Sequence, residues 1–281
     1  MEQHFNTPSE VIDTNMKAGE GKAHLPLGKM ILLGIMAGAF IALGGATSST
    51  AAHAIDNVGL ARFVAGIIFP VGLMIIVFVG GELFTGNCLI VMDVVGKKVT
   101  WFECIRNLIV VYFSNLIGAL IIDTLIYFSG NLDYTGGLLG AYAIKVAVGK
   151  VGISPLKGIT SGILCNILVC IAILMAVAAT DIVGKVWAIF FPIMAFVVGG
   201  FEHCVANMYY VPAGMIAKLN PLYVKDAMEQ YGYTAQQLSA LNIPNFIFHN
   251  LIPVTIGNII GGMAFFGIPL MYINGVGGKK A

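Results

Sequence analysis

Apolar residues run along this chain in long blocks broken by short polar punctuation, and the blocks fall near residues 27–52, 60–95, 101–128, 155–179, 185–217 and 244–274. A helix rising 1.5 Å per residue needs about 20 apolar residues to cross a hydrocarbon layer of about 30 Å. Four of the blocks fit one such helix each. The second and fifth are too long, and each carries a glycine-bearing polar interruption: Gly80-Gly81-Glu82-Leu83-Phe84-Thr85-Gly86-Asn87 and Gly199-Gly200-Phe201-Glu202-His203-Cys204-Val205-Ala206-Asn207. Non-helical backbone is tolerated at membrane depth only where protein or a water-lined path satisfies its N–H and C=O groups. The pattern therefore predicts six crossings, with the second and fifth helices broken beside a pathway.

The two interruptions share Gly-Gly followed by Glu-x4-Asn, from Glu82 to Asn87 and from Glu202 to Asn207. Each precedes a span with a second shared pattern, Asn-x7-Asn-x2-Gly, at Asn107, Asn115 and Gly118 and again at Asn250, Asn258 and Gly261. Two matches in the same order indicate an internal repeat, about 27–128 and about 155–274. An odd number of crossings reverses direction, so the halves are inverted, as in many transporters. The expected fold class is an all-α integral membrane protein of six transmembrane helices, built as two inverted three-helix repeats.

Each second half-helix starts at its break, so its unpaired N–H groups and positive dipole end point into the membrane interior, where they favour an anion. Glu82 and Glu202 are read first as acceptors for backbone groups freed at the breaks, with proton relay as the alternative. Asn87 and Asn207 belong to the same structural set. An ionisable side chain inside a span marks a functional site by default, which singles out His203; the bland alternative is a histidine that merely holds the break. Thr85 offers a hydroxyl in the partner break, for the pathway or for local capping. Phe69, Leu73, Leu83, Phe84 and Phe196 form ordinary packing or dry constrictions that block hydrated ions.

Composition agrees: 58% of the 281 residues are hydrophobic and 10% charged, against roughly 25% charged in soluble domains. Residues 1–26 are polar and read as a tail without the apolar core of a secretory signal, and residues 275–281 as a second short tail. Placing both termini in the cytoplasm puts nine Lys/Arg on that side and six outside, in line with the positive-inside rule. A net charge of +1 supplies no basic surface for nucleic acid. The five cysteines lack paired spacing and read as small buried hydrophobes. No H-E-x-x-H, G-x-S-x-G or acidic metal cluster supports a membrane enzyme. A haem or quinone anchor subunit lacks paired intramembrane histidines beyond His203 and His249. No cofactor or metal is expected.

At these same residues the chain resembles the formate/nitrite transporter family: Glu82-Leu83-Phe84-Thr85-Gly86-Asn87, Gly200-Phe201-Glu202-His203-x-x-Ala206-Asn207-Met208, and Asn250-Leu251-Ile252-Pro253-Val254-Thr255-Ile256-Gly257-Asn258-Ile259-Ile260-Gly261-Gly262. Ala18-Gly19-x-x-Lys22-Ala23 is similar to the family's N-terminal segment. The resemblance implies an aquaporin-like protomer, a homopentamer with one pore per subunit in the cell membrane, and passage of small monovalent anions of weak acids. It implies that Thr85 and His203 are the polar pair at the pore centre, supported by Asn166, and that Phe69, Leu73, Leu83, Phe84 and Phe196 narrow the pore. Lys150, sixteen residues before Asn166, matches the lysine that attracts anions in the vestibule. Within the family the chain looks most like the hydrosulfide branch, with formate and nitrite as the alternative solutes.

Overall fold

The computed structural model describes residues 5–274, and their regular structure is helical apart from one isolated bridge between Phe5 and Ala179. The helices are α1 (Pro8–Ala23), α2 (Leu27–Ala52), α3 (Val58–Val79), α4 (Phe84–Val95), α5 (Trp101–Phe128), α6 (Leu138–Val151), α7 (Pro155–Ala178), α8 (Ile182–Gly199), α9 (Cys204–Ala217), α10 (Pro221–Tyr231), α11 (Ala235–Ser239) and α12 (Ile243–Ile273). Six of them, α2, α3, α5, α7, α8 and α12, are long and apolar enough to cross a membrane. The first and third spans coincide with the blocks read from the sequence. The fifth starts earlier than expected, because the Asp181 side chain accepts the Gly184 N–H and caps the helix ahead of Lys185.

Both interrupted spans break where expected. Gly80 (φ 102°) ends α3 and Gly200 (φ 69°) ends α8, and only glycine enters that half of conformational space without steric cost. After an extended stretch the chain restarts as α4 and α9, whose N-termini face each other inside the protein. Close helix crossings fill the space around the breaks. A β-carbon on Gly118 would lie 2.0 Å from the Ile35 carbonyl oxygen, and one on Gly261 would lie 2.3 Å from that of Ile163. The α2–α5 and α7–α12 crossings thus rest on equivalent glycines. On α5, Ile105, Ile109, Phe113 and Ile117 recur every fourth residue and are exposed, as a lipid-facing stripe requires.

The polar segment read as a tail folds as α1 and packs beneath the α4 half-helix through Val11, Ile12 and Met16. A capping box at Thr7 and Glu10 starts it. The repeat is therefore larger than three spans: α1 to α5 correspond to α6, α7, α8, α9 and α12, with α10 and α11 inserted before the last span. Residues 275–281, read as a C-terminal tail, lie outside the described residues.

His24, just past α1, ties that helix to α5. Its Nδ1 faces the Glu20 carbonyl at 2.8 Å and its Nε2 faces Glu103 Oε1 at 3.0 Å. Both ring nitrogens meet acceptors, so both donate only in the imidazolium. The Glu20 carbonyl first, and then the Glu103 carboxylate, hold this group above its ordinary value of 6.5. A pKa raised by folding contributes docking stability in full below the unfolded value and loses it as pH rises through the folded one. Protection of the α1 amides, taken relative to their intrinsic base-catalysed exchange rate, is expected to fall above pH 6.5 in wild type, and His24→Gln is expected to flatten that fall; a parallel response in both would refute the tie.

Candidate functional site

Each break is held by the same set of side chains. In the first, Asn115 Oδ1 accepts the Phe84 N–H at 3.0 Å, while its Nδ2 donates to the Gly34 and Glu82 carbonyls at 2.7 and 2.9 Å. In the second, Asn258 Oδ1 accepts the Cys204 N–H at 2.9 Å and its Nδ2 donates to the Gly162 and Glu202 carbonyls at 2.8 and 3.0 Å. The backbone groups freed by the breaks thus go to asparagines of α5 and α12. This corrects the sequence reading of Glu82 and Glu202 as their acceptors.

The two glutamates instead anchor cations. Asn87 Nδ2 donates to Glu82 Oε2 at 2.6 Å and Asn107 Oδ1 at 2.8 Å, and Lys22 Nζ lies 3.4 Å from Glu82 Oε1 and 2.9 Å from Asn87 Oδ1. Across the repeat, Asn207 Nδ2 donates to Glu202 Oε2 at 2.7 Å and Asn250 Oδ1 at 2.8 Å, and Lys150 Nζ lies 2.7 Å from Glu202 Oε1. Asn107 and Asn250 complete the correspondence by donating to the main-chain carbonyls of Lys22 and Lys150 at 3.0 and 2.9 Å. Lys22 is the site residue that sequence reasoning left in a tail. The signal was present as Lys-x3-Gly-Lys, which runs from Lys17 to Lys22 and again from Lys145 to Lys150.

Between the breaks, His203 Nε2 and Thr85 Oγ1 meet at 2.9 Å, with both side chains buried. His203 is the N-cap of α9, and its Nδ1 accepts the Ala206 N–H at 3.0 Å. A nitrogen that accepts carries no proton, so the ring hydrogen sits on Nε2 and is donated to Thr85, which leaves the threonine O–H free to donate onward. Asn166 Nδ2 supports the pair by donating to the Thr85 carbonyl at 3.2 Å and to that of Asn258 at 2.7 Å.

Apolar rings border this pair. The Phe196 ring stacks on the His203 imidazole with centroids 5.8 Å apart, and Phe69 meets Phe196 edge-on at 5.5 Å. Leu73, Leu83 and Phe84 are also buried, and Phe84 packs edge-on against Tyr112 at 4.9 Å. A vestibule of about 740 Å³ leads from the α6 side to Phe69, Phe196 and His203, and Lys150 and Glu202 lie on its wall. The structure thus brings Thr85, His203, Asn166, Phe69 and Phe196 together, pairs Lys150 directly with Glu202, and places Leu73, Leu83 and Phe84 in the surrounding buried core.

The chemistry breaks the repeat that the scaffold obeys. His203 occupies the position that is Leu83 in the first half, Thr85 the position that is Val205 in the second, and Asn166 the counterpart of Gly38. An apolar side chain or a glycine occupies the equivalent position in the other half, so building a break does not by itself demand polar groups at these three positions.

Residues 9–272 match the formate/nitrite transporter family. A formate channel from Haemophilus influenzae is 36% identical over 269 residues, covering 95% of this chain and 94% of that protein. A probable formate transporter from Methanothermobacter thermautotrophicus is 35% identical and covers 94% of this chain and 96% of its own length. Among solved structures, a pentameric formate channel with formate bound superposes with a TM-score of 0.79 at 36% identity, over 88% of this chain and 97% of that one. With its whole membrane domain matched and the paired broken helices in place, this multi-pass membrane protein belongs to the formate/nitrite transporter family.

Proposed function

We propose that the chain forms a pore for a small monovalent anion of a weak acid, with formate the foremost solute. The observation that carries this reading is the buried Thr85–His203 hydrogen bond between two inward-facing half-helices, bordered by aromatic rings. The relatives named as formate channels support formate over the hydrosulfide expected from the sequence. Lys150 and Lys22 mark the two approaches. In keeping with the pentameric formate channel on which the chain superposes, five chains assemble with one pore each. Both termini face the cytoplasm across the cell membrane, which the Lys/Arg distribution supports.

The anion sheds water against Phe69, Leu73, Leu83, Phe84 and Phe196, and the free Thr85 O–H and the half-helix dipoles replace part of that hydration. Desolvating a bare anion costs far more than desolvating its neutral acid, so a proton met at the centre lowers the barrier. His203 supplies that proton only as an imidazolium. Becoming one requires Nδ1 to release the Ala206 N–H, because a neutral ring giving up its Nε2 proton would be left as imidazolate. Protonation is thereby coupled to a loosening of the α9 N-cap.

Purified protein in liposomes is expected to pass formate faster than nitrite or hydrosulfide, and faster at pH 5.5 than at pH 7.5, under equal gradients. Flux of hydrosulfide well above formate would reverse the order of solutes, and absence of flux for all three would overturn the pore.

A further inference from the structure

The vestibule on the α6 side contains two cations that the pore-centre chemistry does not use. Lys145 lies on its wall with Nζ 4.5 Å from the centroid of the Tyr231 ring and 5.6 Å from that of Tyr142. Arg62 lies on the same wall, and its Nη1 reaches the Val198 carbonyl oxygen at 3.4 Å. Neither is in an ion pair among the described residues, whereas Lys150 is bound to Glu202. Glu202 and Asp56 are the carboxylates on the wall. With Glu202 committed to Lys150, Arg62 and Lys145 face Asp56 alone, and the outer vestibule has an excess of positive charge.

The setting of Lys145 differs from that of its repeat counterpart, Lys17. On α1, Lys17 has Asp13 one turn before it and Glu20 three residues after it, and the helix contains no aromatic residue. On α6 there is no acidic residue between Leu138 and Val151. The position that in one half is neutralised by its own helix is in the other stripped of acids and seated on two phenol rings. A cation over aromatic faces keeps its charge and its outward hydrogen-bond donors while its stem is held in place. Arg62 adds a planar fork suited to a carboxylate.

We infer that Lys145 and Arg62 form an anion-collecting station in the α6-side vestibule that captures small carboxylates before they reach Lys150 and the Thr85–His203 pair. The inference rests on the pore reading above. A cleft with a net excess of one sign of charge raises the local concentration of the opposite ion and its rate of arrival. A passive pore gains no net direction from this, because the equilibrium across the membrane is unchanged. The half-saturating concentration on that side falls, while the maximal flux, limited at the dry centre, does not move.

The test uses formate and liposomes sorted by an N-terminal tag, so that vesicles with the α6 face outward and inward are measured separately. For Lys145→Gln/Arg62→Gln at low ionic strength, the half-saturating formate concentration is expected to rise about three- to ten-fold from the α6 side, with maximal flux and its pH dependence unchanged. From the α1 side it is expected to stay as in wild type. At about 1 M salt, where the screening length is about 3 Å, the difference is expected to close. Lys145→Arg with Arg62 retained keeps both charges and the fork, and is expected to match wild type. An unchanged half-saturation, or an equal rise from both sides, overturns the station while leaving the pore intact. A wild type without formate flux overturns the pore reading and the station with it.

Discussion

Replacing His203 by asparagine is expected to lower formate flux at pH 5.5 by about 100-fold and to abolish its rise with acidity, the size typical of losing a positioned acid–base group. Asparagine isolates the chemistry from the fold. It is a good N-cap, and its side-chain oxygen accepts the Ala206 N–H that His203 Nδ1 accepts at 3.0 Å. It stacks less well on Phe196 and takes up no proton near neutral pH. The matched measurement is flux at pH 5.5 and 7.5 in the same vesicles, with thermal unfolding to confirm that the variant folds. Flux and pH dependence equal to wild type would eliminate the proton-lending role and leave His203 as a cap alone. Thr85→Val gives the complementary result: the relay hydroxyl is lost, flux falls at both pH values, and the ratio between them persists, because the His203 imidazole is retained.

The features legible in the sequence are those that obey a period or a repeat. Apolar blocks long enough to span a membrane set α2 and α5 to the residue. The duplicated Glu-x4-Asn and Asn-x7-Asn-x2-Gly patterns placed both breaks and implied the inversion. The partners of Glu82 and Glu202 were less accessible, because a carboxylate beside a break accepts equally well from a backbone N–H, an asparagine or a lysine. The choice depends on Asn115 and Asn258 arriving from helices that begin only at Trp101 and Ile243, too far along the chain for local spacing to constrain them. Lys22 was hidden for a different reason. Hydropathy classifies the acidic, polar α1 as a tail, although α6, its apolar counterpart, carries the same Lys-x3-Gly-Lys. Composition diverged between the two copies while the lysine and its glutamate stayed paired. The pore-centre residues were found by other signals: His203 as an ionisable side chain inside a span, Thr85 as a hydroxyl in the partner break, and Asn166 only through the family resemblance; all three are polar where the other half carries leucine, valine or glycine.

That contrast separates positions that hold the breaks from positions proposed to act on the solute, and Asn258→Ala tests the separation. The substitution strips partners from two buried backbone groups of the break, the Cys204 N–H and the Glu202 carbonyl, and removes a second bond from the Gly162 carbonyl, which keeps its place in the α7 ladder. Each orphaned group costs about 1 to 3 kcal/mol, and at the low end the sum is about 2 kcal/mol, a large share of a stability of about 5–15 kcal/mol. A fall in Tm of about 4 °C or more is expected in detergent. Thr255→Ala, which removes side-chain contacts to the Tyr112 hydroxyl at 2.9 Å and to the Cys204 thiol but orphans no backbone group of the break, is expected to shift it far less. Asn115→Ala orphans the matching groups at the other break and is expected to destabilise by a similar amount. The diagnostic readout is the flux that survives in folded protein. In Asn115→Ala the remaining flux is expected to keep the wild-type ratio between pH 5.5 and 7.5, since His203 caps the other half-helix. In Asn258→Ala that ratio is expected to change, because the Cys204 N–H it releases adjoins the cap that protonation of His203 must loosen. Equal ratios in the two variants would show that the α9 cap and the proton step are independent.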